Sequence, residues 1–302
     1  MSGPVMRPVG GFHDRTILGA VYPTESVPRV INIDTRFREN PLTTNGSECT
    51  IRLPRTYKNI TSIRLSSVEM PNSWYDFSAN LENTSVTICG TRCTIPDGNY
   101  TSTELTAAIQ VATSSVLPIT AAFNNVTCKC SLTAATPFSI DFTPIYNNAS
   151  ACCILRDATT RPFDTGLGYY LGFTNYTYSG SSNYVCESIT NLWGNTYVLL
   201  NIENYESVET PSLYGSSAPA FAKIPVNVPK YSIIYEGTDT IANKVVFSEP
   251  QNVSVFRIKL TDCWGRVLQT FGNFSFTIEL EEVLSSKLYS AYKDNLVRPP
   301  FA

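Results

Sequence analysis

Histidine is nearly missing from this chain: His13 is the only copy among 302 residues. Without further imidazoles, a serine or cysteine nucleophile lacks its usual base, and histidine-dependent metal hydrolysis has no ligand set. Charge is scarce too, at 16% of residues, where ordinary soluble domains carry roughly 25%. The 22 Lys and Arg are matched by 25 Asp and Glu, for a net charge of -3 and a pI near 5.3, and no basic cluster occurs. Such a chain has little with which to grip a phosphate backbone, so direct nucleic-acid binding is not expected. No apolar run approaches the ~18 residues that mark a membrane-spanning helix. No apolar h-region follows Met1–Gly11 either, so the chain is expected to be made in the cytosol and not to cross a membrane by itself.

Apolar residues make up 43% of the chain and aromatics 12%, which excludes a wholly disordered protein. The length suits one large all-β domain or two ordinary ones. Nine cysteines, an odd number, are present. Cys89, Cys93, Cys128 and Cys130 have the spacing of a CxxxC plus CxC zinc site, but free thiols in strands also serve as small hydrophobes. Mainly reduced, buried thiols are expected. Nine Asn-x-Ser/Thr sequons, including Asn59, Asn83 and Asn273, have the look of an extracellular signature, but with no signal peptide they are read as a consequence of a composition rich in Asn, Ser and Thr.

Along the chain, residues 1–29 are rich in Pro and Gly and read as an extended docking arm, with Val5, Phe12, Ile17, Leu18, Val21 and Tyr22 as separated apolar anchors. Alternation predicts strands at Val30–Asp34, at Cys49–Leu53 ending before Pro54, and at Ile60–Met70. In the last of these, apolar residues fall on both parities, as in a strand bent across a sandwich. Trp74-Tyr75-Asp76-Phe77 supplies a bulky anchor. Pro96-Asp97-Gly98-Asn99-Tyr100 is a sharp turn, followed by a helix capped at Thr101 or Ser102, with Leu105, Ala108, Ile109 and Ala112 on one stripe. Leu167–Phe173 contains two glycines among aromatics, which suits close packing in a turn better than phosphate binding. Strands then follow one another: Tyr197–Ile202, Ala220–Ile224, Ser232–Tyr235, Asn243–Phe247, Val253–Leu260 and Phe274–Leu280, with Asp262–Gly265 as a turn. Ser285–Tyr292 reads as a brief helix before a tail.

The expected fold class is therefore all-β and mainly antiparallel: a jelly-roll-like β-sandwich over 30–282, with 95–173 as an embedded α+β subdomain and 283–302 as helix and tail. Asp34, Glu69, Asp97 and Asp262 are the candidates for a convergent acid–base group, weighed against roles in capping turns or facing solvent. Trp74, Tyr75, Trp193 and Trp264 are candidate stacking platforms for sugars. No catalytic, cofactor-binding or metal residue is assigned, and the chain is not expected to be an enzyme.

Several blocks resemble the minor capsid proteins of large icosahedral double-stranded DNA viruses of eukaryotes. They are Ile31–Arg38, Ile51–Pro54, Lys58–Tyr75, Pro96–Tyr100 with the following helix, Leu167–Phe173, and Phe274–Leu280. The resemblance implies a β-rich virion component that cements or links major capsid capsomers in an icosahedral shell. It also implies other minor capsid proteins as partners, proximity to an inner viral membrane and assembly in the host cytoplasm. The alternative is a glycan-binding β-domain at a virion or cell surface.

Overall fold

A computed structural model describes residues 26–143, 166–208, 219–237, 244–268 and 272–284. The docking-arm segment through residue 25, Cys152 and Cys153, and the terminal helix lie outside the described residues.

The organising element is one strand, β2, of 24 residues from Glu48 to Pro71. The sequence suggests two strands separated at Pro54, but the structure joins them. Pro54 lies where the register against β11 (Lys244–Thr261) slips between Val253 and Val255, so its missing N–H leaves no regular ladder bond unmade. Core-facing residues change parity along β2: Cys49, Ile51 and Leu53, then Ile60, then Ile63 and Leu65, then Val68 and Met70. Register slips against β12 (Ser275–Val283) at Thr277/Ile278 and Glu281/Glu282, together with a left-handed Asn59 at φ 55°, account for these changes. An extra residue in one strand turns the following side chains to the other face and bends the ribbon. Apolar residues on both parities are thus the sequence trace of a curled sheet.

The order of this sheet is β1 (Ser26–Asp34), β12, β2, β11, β8 (Tyr197–Ile202) and β9 (Ala222–Pro225), with β10 (Ile233–Gly237) also paired to β2. Every pairing is antiparallel. β1 starts at Ser26, opposite Val283, four residues before the Val30 start expected from alternation. Its first residues alternate weakly, and pairing with β12 orders them. β2 and β11 are long enough to belong to both halves of the curl. The sheet curls as a jelly-roll-like half-barrel over one core that includes Ile33, Ile60, Leu65, Phe221, Phe256 and Phe276. Each large aliphatic side chain buried there contributes about 1.5–3 kcal/mol of transfer free energy.

Between β2 and β8 the chain builds a second antiparallel sheet, ordered β4 (Thr91–Thr94), β3 (Ser85–Ile88), β6 (Lys129–Asp141) and β5 (Thr120–Asn124), with β7 (Thr177–Val185) on β6. Cys89 and Gly90, both at positive φ, make the two-residue turn between β3 and β4. Helix α1 (Ser102–Thr113) lays Leu105 and Ile109 on this sheet. Its N-cap is Thr101, whose hydroxyl accepts from Glu104 N–H while the Glu104 carboxylate accepts from Thr101 N–H at 2.9 Å. Strand β7 is not foreseen by alternation because its sequence, TYSGSSNYV, is almost wholly polar. Pairing to β6 makes it a strand. Among the described residues no helix is long and apolar enough to cross a membrane.

Candidate functional site

The two sheets meet where β2 ends. Asn72 N–H donates to Ser232 O at 2.9 Å and Tyr231 N–H donates to Asn72 O at 3.0 Å, so the chain leaves β2 anchored against the segment that enters β10. Trp74 follows, 1% exposed, with the Lys230 ammonium 4.7 Å from its ring centroid. Lys230 Nζ donates to Trp74 O at 3.0 Å and to Asp76 Oδ1 at 2.8 Å. Burial pushes the Asp76 carboxyl up, opposed by the Lys230 charge, and burial pushes Lys230 down, opposed by Asp76. Nearby, Asp262 and Arg266 form a pair at 2.7 Å with side chains 0% and 5% exposed, and Arg266 Nη1 donates to Leu81 O at 2.7 Å. The turn between the last two strands of the half-barrel is thereby tied to the loop that precedes β3. Tyr170, pushed up to about 12 chiefly by burial, adds a neutral phenol that senses Arg266, Asp262 and Asp76.

Beside this junction lies a groove of about 670 Å³ formed by α2 (Leu167–Leu171), the residues after it, and 188–196. Its walls are held by the backbone. Ser188 N–H donates to Gly172 O and Asn191 N–H to Tyr170 O, both at 2.8 Å, and Thr190 Oγ1 donates to Leu171 O at 3.2 Å. Gly172 caps α2 at φ 89°, and a Cβ there would meet Ser188 O at 2.6 Å. Gly194 at φ 65° packs directly on the Asp76 carboxylate, which links the groove to the junction. Glycine is required at both positions by conformation and by space. Trp193, 83% exposed, and Tyr169 present aromatic surface along the groove.

The candidate stacking residues thus separate. Trp74 is a core residue at the junction and cannot receive a sugar, a correction that follows from its position where the two sheets close. Tyr75 and Trp264 are half-buried, and Trp193 is exposed in the groove. Tyr169, Ile189 and Asn191, which share that groove, were not singled out from the sequence. The aromatic–glycine run at 167–173 was the available signal, and Gly168 indeed permits close packing, since a Cβ there would lie 2.6 Å from the Phe142 ring.

The four carboxylates do not form one group. Asp34 holds Arg36, Glu69 accepts from Ser275 at 2.8 Å, Asp97 accepts from Ala79 N–H at 2.8 Å, and Asp262 holds Arg266. The cysteines of the zinc pattern divide as well: Cys93 and Cys130 are buried, Cys89 and Cys128 exposed in turns. Among the described residues no three His, Cys, Asp or Glu side chains are grouped to hold a metal ion. Cys49, Cys89, Cys93, Cys128, Cys130, Cys186 and Cys263 are free thiols. Burial pushes Cys49 to about 11 and Cys130 to about 12, which keeps both thiols protonated and unreactive.

The fold is thus a mainly antiparallel, jelly-roll-like half-barrel carrying a small sheet and helix. No family model matches the chain, and no curated protein is significantly similar to it. Among solved structures it is similar in outline to the mavirus penton protein, at 8% identity and a TM-score of 0.45, over 86% of this chain and 100% of that one. A chain of the Sputnik virophage, solved by cryo-EM, is 14% identical with a TM-score of 0.37, over 85% of this chain and 97% of that one. These values describe a distant likeness of shape.

Proposed function

We propose that the protein is a virion structural protein, a minor capsid protein that cements or links major capsid capsomers in an icosahedral shell. The observation that carries this reading is where the resembling sequence blocks fall. Ile31–Arg38, Lys58–Tyr75 and Phe274–Leu280 are far apart in sequence, yet they map to β1, β2 and β12, which are hydrogen-bonded neighbours in one layer. The far edge of that layer is formed by β10 and the start of β11, which pair with β2 on one side. Ile233, Tyr235 and Val246 are exposed there, on the face that also carries Glu69 and Arg64. Among the described residues no strand pairs with the outer side of that edge. A sheet edge with apolar outward side chains invites a partner strand or surface, which suits a protein that works between other subunits.

In this reading the partners are major capsid capsomers and other minor capsid proteins, close to an inner viral membrane, in particles assembled in the host cytoplasm. Residues 1–29 act as the docking arm, and the embedded subdomain is wider than the 95–173 expected from the sequence, because β3, β4 and β7 belong to its sheet and Phe77 to Cys186 to its core. The test is cross-linking mass spectrometry and density mapping on intact particles, with wild type competing for incorporation against I233K/Y235K. The expected result is cross-links from the β10–β11 edge to capsomers and poor incorporation of the folded variant. Location outside the shell, or equal incorporation, would overturn the reading.

A further inference from the structure

We propose that the groove between α2 and residues 188–196 is a binding site for a neutral oligosaccharide, with Trp193 and Tyr169 as its stacking surfaces. Four observations converge on that chemistry, and none depends on the capsid reading.

First, Trp193 is 83% exposed while its backbone is fixed: its N–H donates to Asn191 Oδ1 at 3.2 Å. A large indole held open to water gains substantially when a flat apolar face covers it, and the C–H face of a pyranose ring is such a surface. Second, the polar lining is made of amides and hydroxyls. Asn191 has its oxygen occupied by Trp193 N–H, which turns the amide nitrogen into the available donor. Thr190 spends its hydroxyl proton on Leu171 O, so toward a ligand its oxygen can only accept. Ser188 adds a further hydroxyl. Donors and acceptors of this kind match sugar hydroxyls, which themselves both donate and accept.

Third, no Asp, Glu, Lys or Arg is among the described residues that line the groove. The charges beside it are already paired: Glu187 is taken up by the Tyr178 hydroxyl at 2.8 Å and by Thr174 N–H at 3.1 Å, and Asp76, behind Gly194, is held by Lys230 at 2.8 Å. A phosphate, a nucleotide or a sialylated glycan would therefore find no counter-charge, whereas a neutral sugar needs none. Fourth, the groove is preformed. The backbone bonds across Gly172, Leu171 and Tyr170 fix its walls, and its volume is within the roughly 300–1,000 Å³ of small-ligand sites. A rigid site does not have to be ordered on binding, which favours the weak, shape-selective recognition that sugars receive.

The test uses the full chain with maltohexaose, cellohexaose and chitohexaose as neutral probes and sialyllactose as the anionic one. Titrations are read by calorimetry and by protection of tryptophan fluorescence from iodide. Saturable binding of at least one neutral probe, with iodide protection in the wild type and little binding of sialyllactose, is expected. W193A should weaken that binding about tenfold or more, whereas W264A should leave it unchanged. Because Trp193 is largely solvent-exposed, the circular-dichroism spectrum and urea midpoint of W193A should match wild type. Absence of neutral-probe binding up to ~10 mM, preference for sialyllactose, or equal binding by W193A would each overturn the proposal. Incorporation of W193A into particles is expected to be normal, which separates failure of this site from failure of the capsid reading.

Discussion

Replacing Arg266 by Met removes the cation that joins the half-barrel to the insert while keeping an apolar stem of similar length. The wild-type guanidinium donates from Nε to Asp262 Oδ2 and from Nη1 to Leu81 O, both at 2.7 Å. In R266M the Asp262 carboxylate stays fully buried, and only the N–H groups of Trp264 and of residue 266, each at 2.9 Å, still donate to it. Breaking a buried ion pair by removing one partner costs about 3–5 kcal/mol. The two backbone donors pull the expected loss toward the lower end, and the orphaned Leu81 carbonyl adds about 1 kcal/mol or more. A total of about 4 kcal/mol follows.

The cost should fall substantially in D262N/R266M, where the buried charge is gone and an amide oxygen remains to accept from the same N–H groups. R257M, which breaks the exposed Arg257–Glu203 pair with side chains 69% and 52% accessible, should leave the unfolding midpoint unchanged within error. Urea unfolding followed by tryptophan fluorescence is the assay, because Trp74 and Trp264 both lie beside this junction. Far-UV circular dichroism on the same samples checks that the transitions coincide. A loss below about 1 kcal/mol for R266M, or no recovery in the double variant, would refute the claim that a paired buried charge ties the two sheets together.

Gly172→Ala should be costly and Gly90→Ala mild, although both residues have φ near +80° to +90°. At Gly172 a Cβ would meet the Ser188 carbonyl at 2.6 Å, whereas at Gly90 nothing lies within 4 Å. Gly90→Ala is then expected to cost about 1–2 kcal/mol and Gly172→Ala at least ~1 kcal/mol more. Equal urea midpoints for the two variants would show that close approach is not what demands glycine at 172. Acid titration tests the outer face of the half-barrel, where hydrogen bonds from Lys244, Ser26 and Ser62 hold the Glu281 carboxyl down to about 2. A carboxyl depressed in the folded state contributes stability that is present above its ordinary value near 4.5 and is lost as the pH falls toward 2. E281Q should therefore be less stable than wild type at neutral pH and converge with it in acid, and a constant difference across that range would contradict the assignment.

Some of this architecture could be read directly from residue order. Thr101 and Glu104 announce the N-terminus of α1 because the capping box is local chemistry, requiring residues only three apart. Asp262–Gly265 announces a turn for the same reason: Gly265 N–H reaches back to Asp262 O at 3.1 Å. Continuity was harder to see. Pro54 suggested an end to a strand that continues through it, because only the register slip of β11 shows that the proline N–H is not required there. The merging of 244–247 with 253–260 into β11 rests likewise on pairing with β2. β7 carries almost no apolar signal and exists through β6.

Burial separates side chains that composition treats alike. Trp74 and Trp193 are the same residue type, each followed within two positions by a turn-forming or acidic residue, yet one is sealed at the junction and the other faces solvent. No local pattern distinguishes them, because Trp74 is buried in a core whose members are distant in the chain, with Lys230 over its ring. The scattered acids and cysteines were dispersed by the same long-range geometry. By itself, then, the sequence determined strand-rich character, turn positions, the helix cap and the scarcity of charge, all of which depend on composition or on neighbours a few residues apart. The tertiary structure decided which strands join, where the sheet bends, which aromatic is core and which lines a groove, since each depends on partners brought close only when the sheets close.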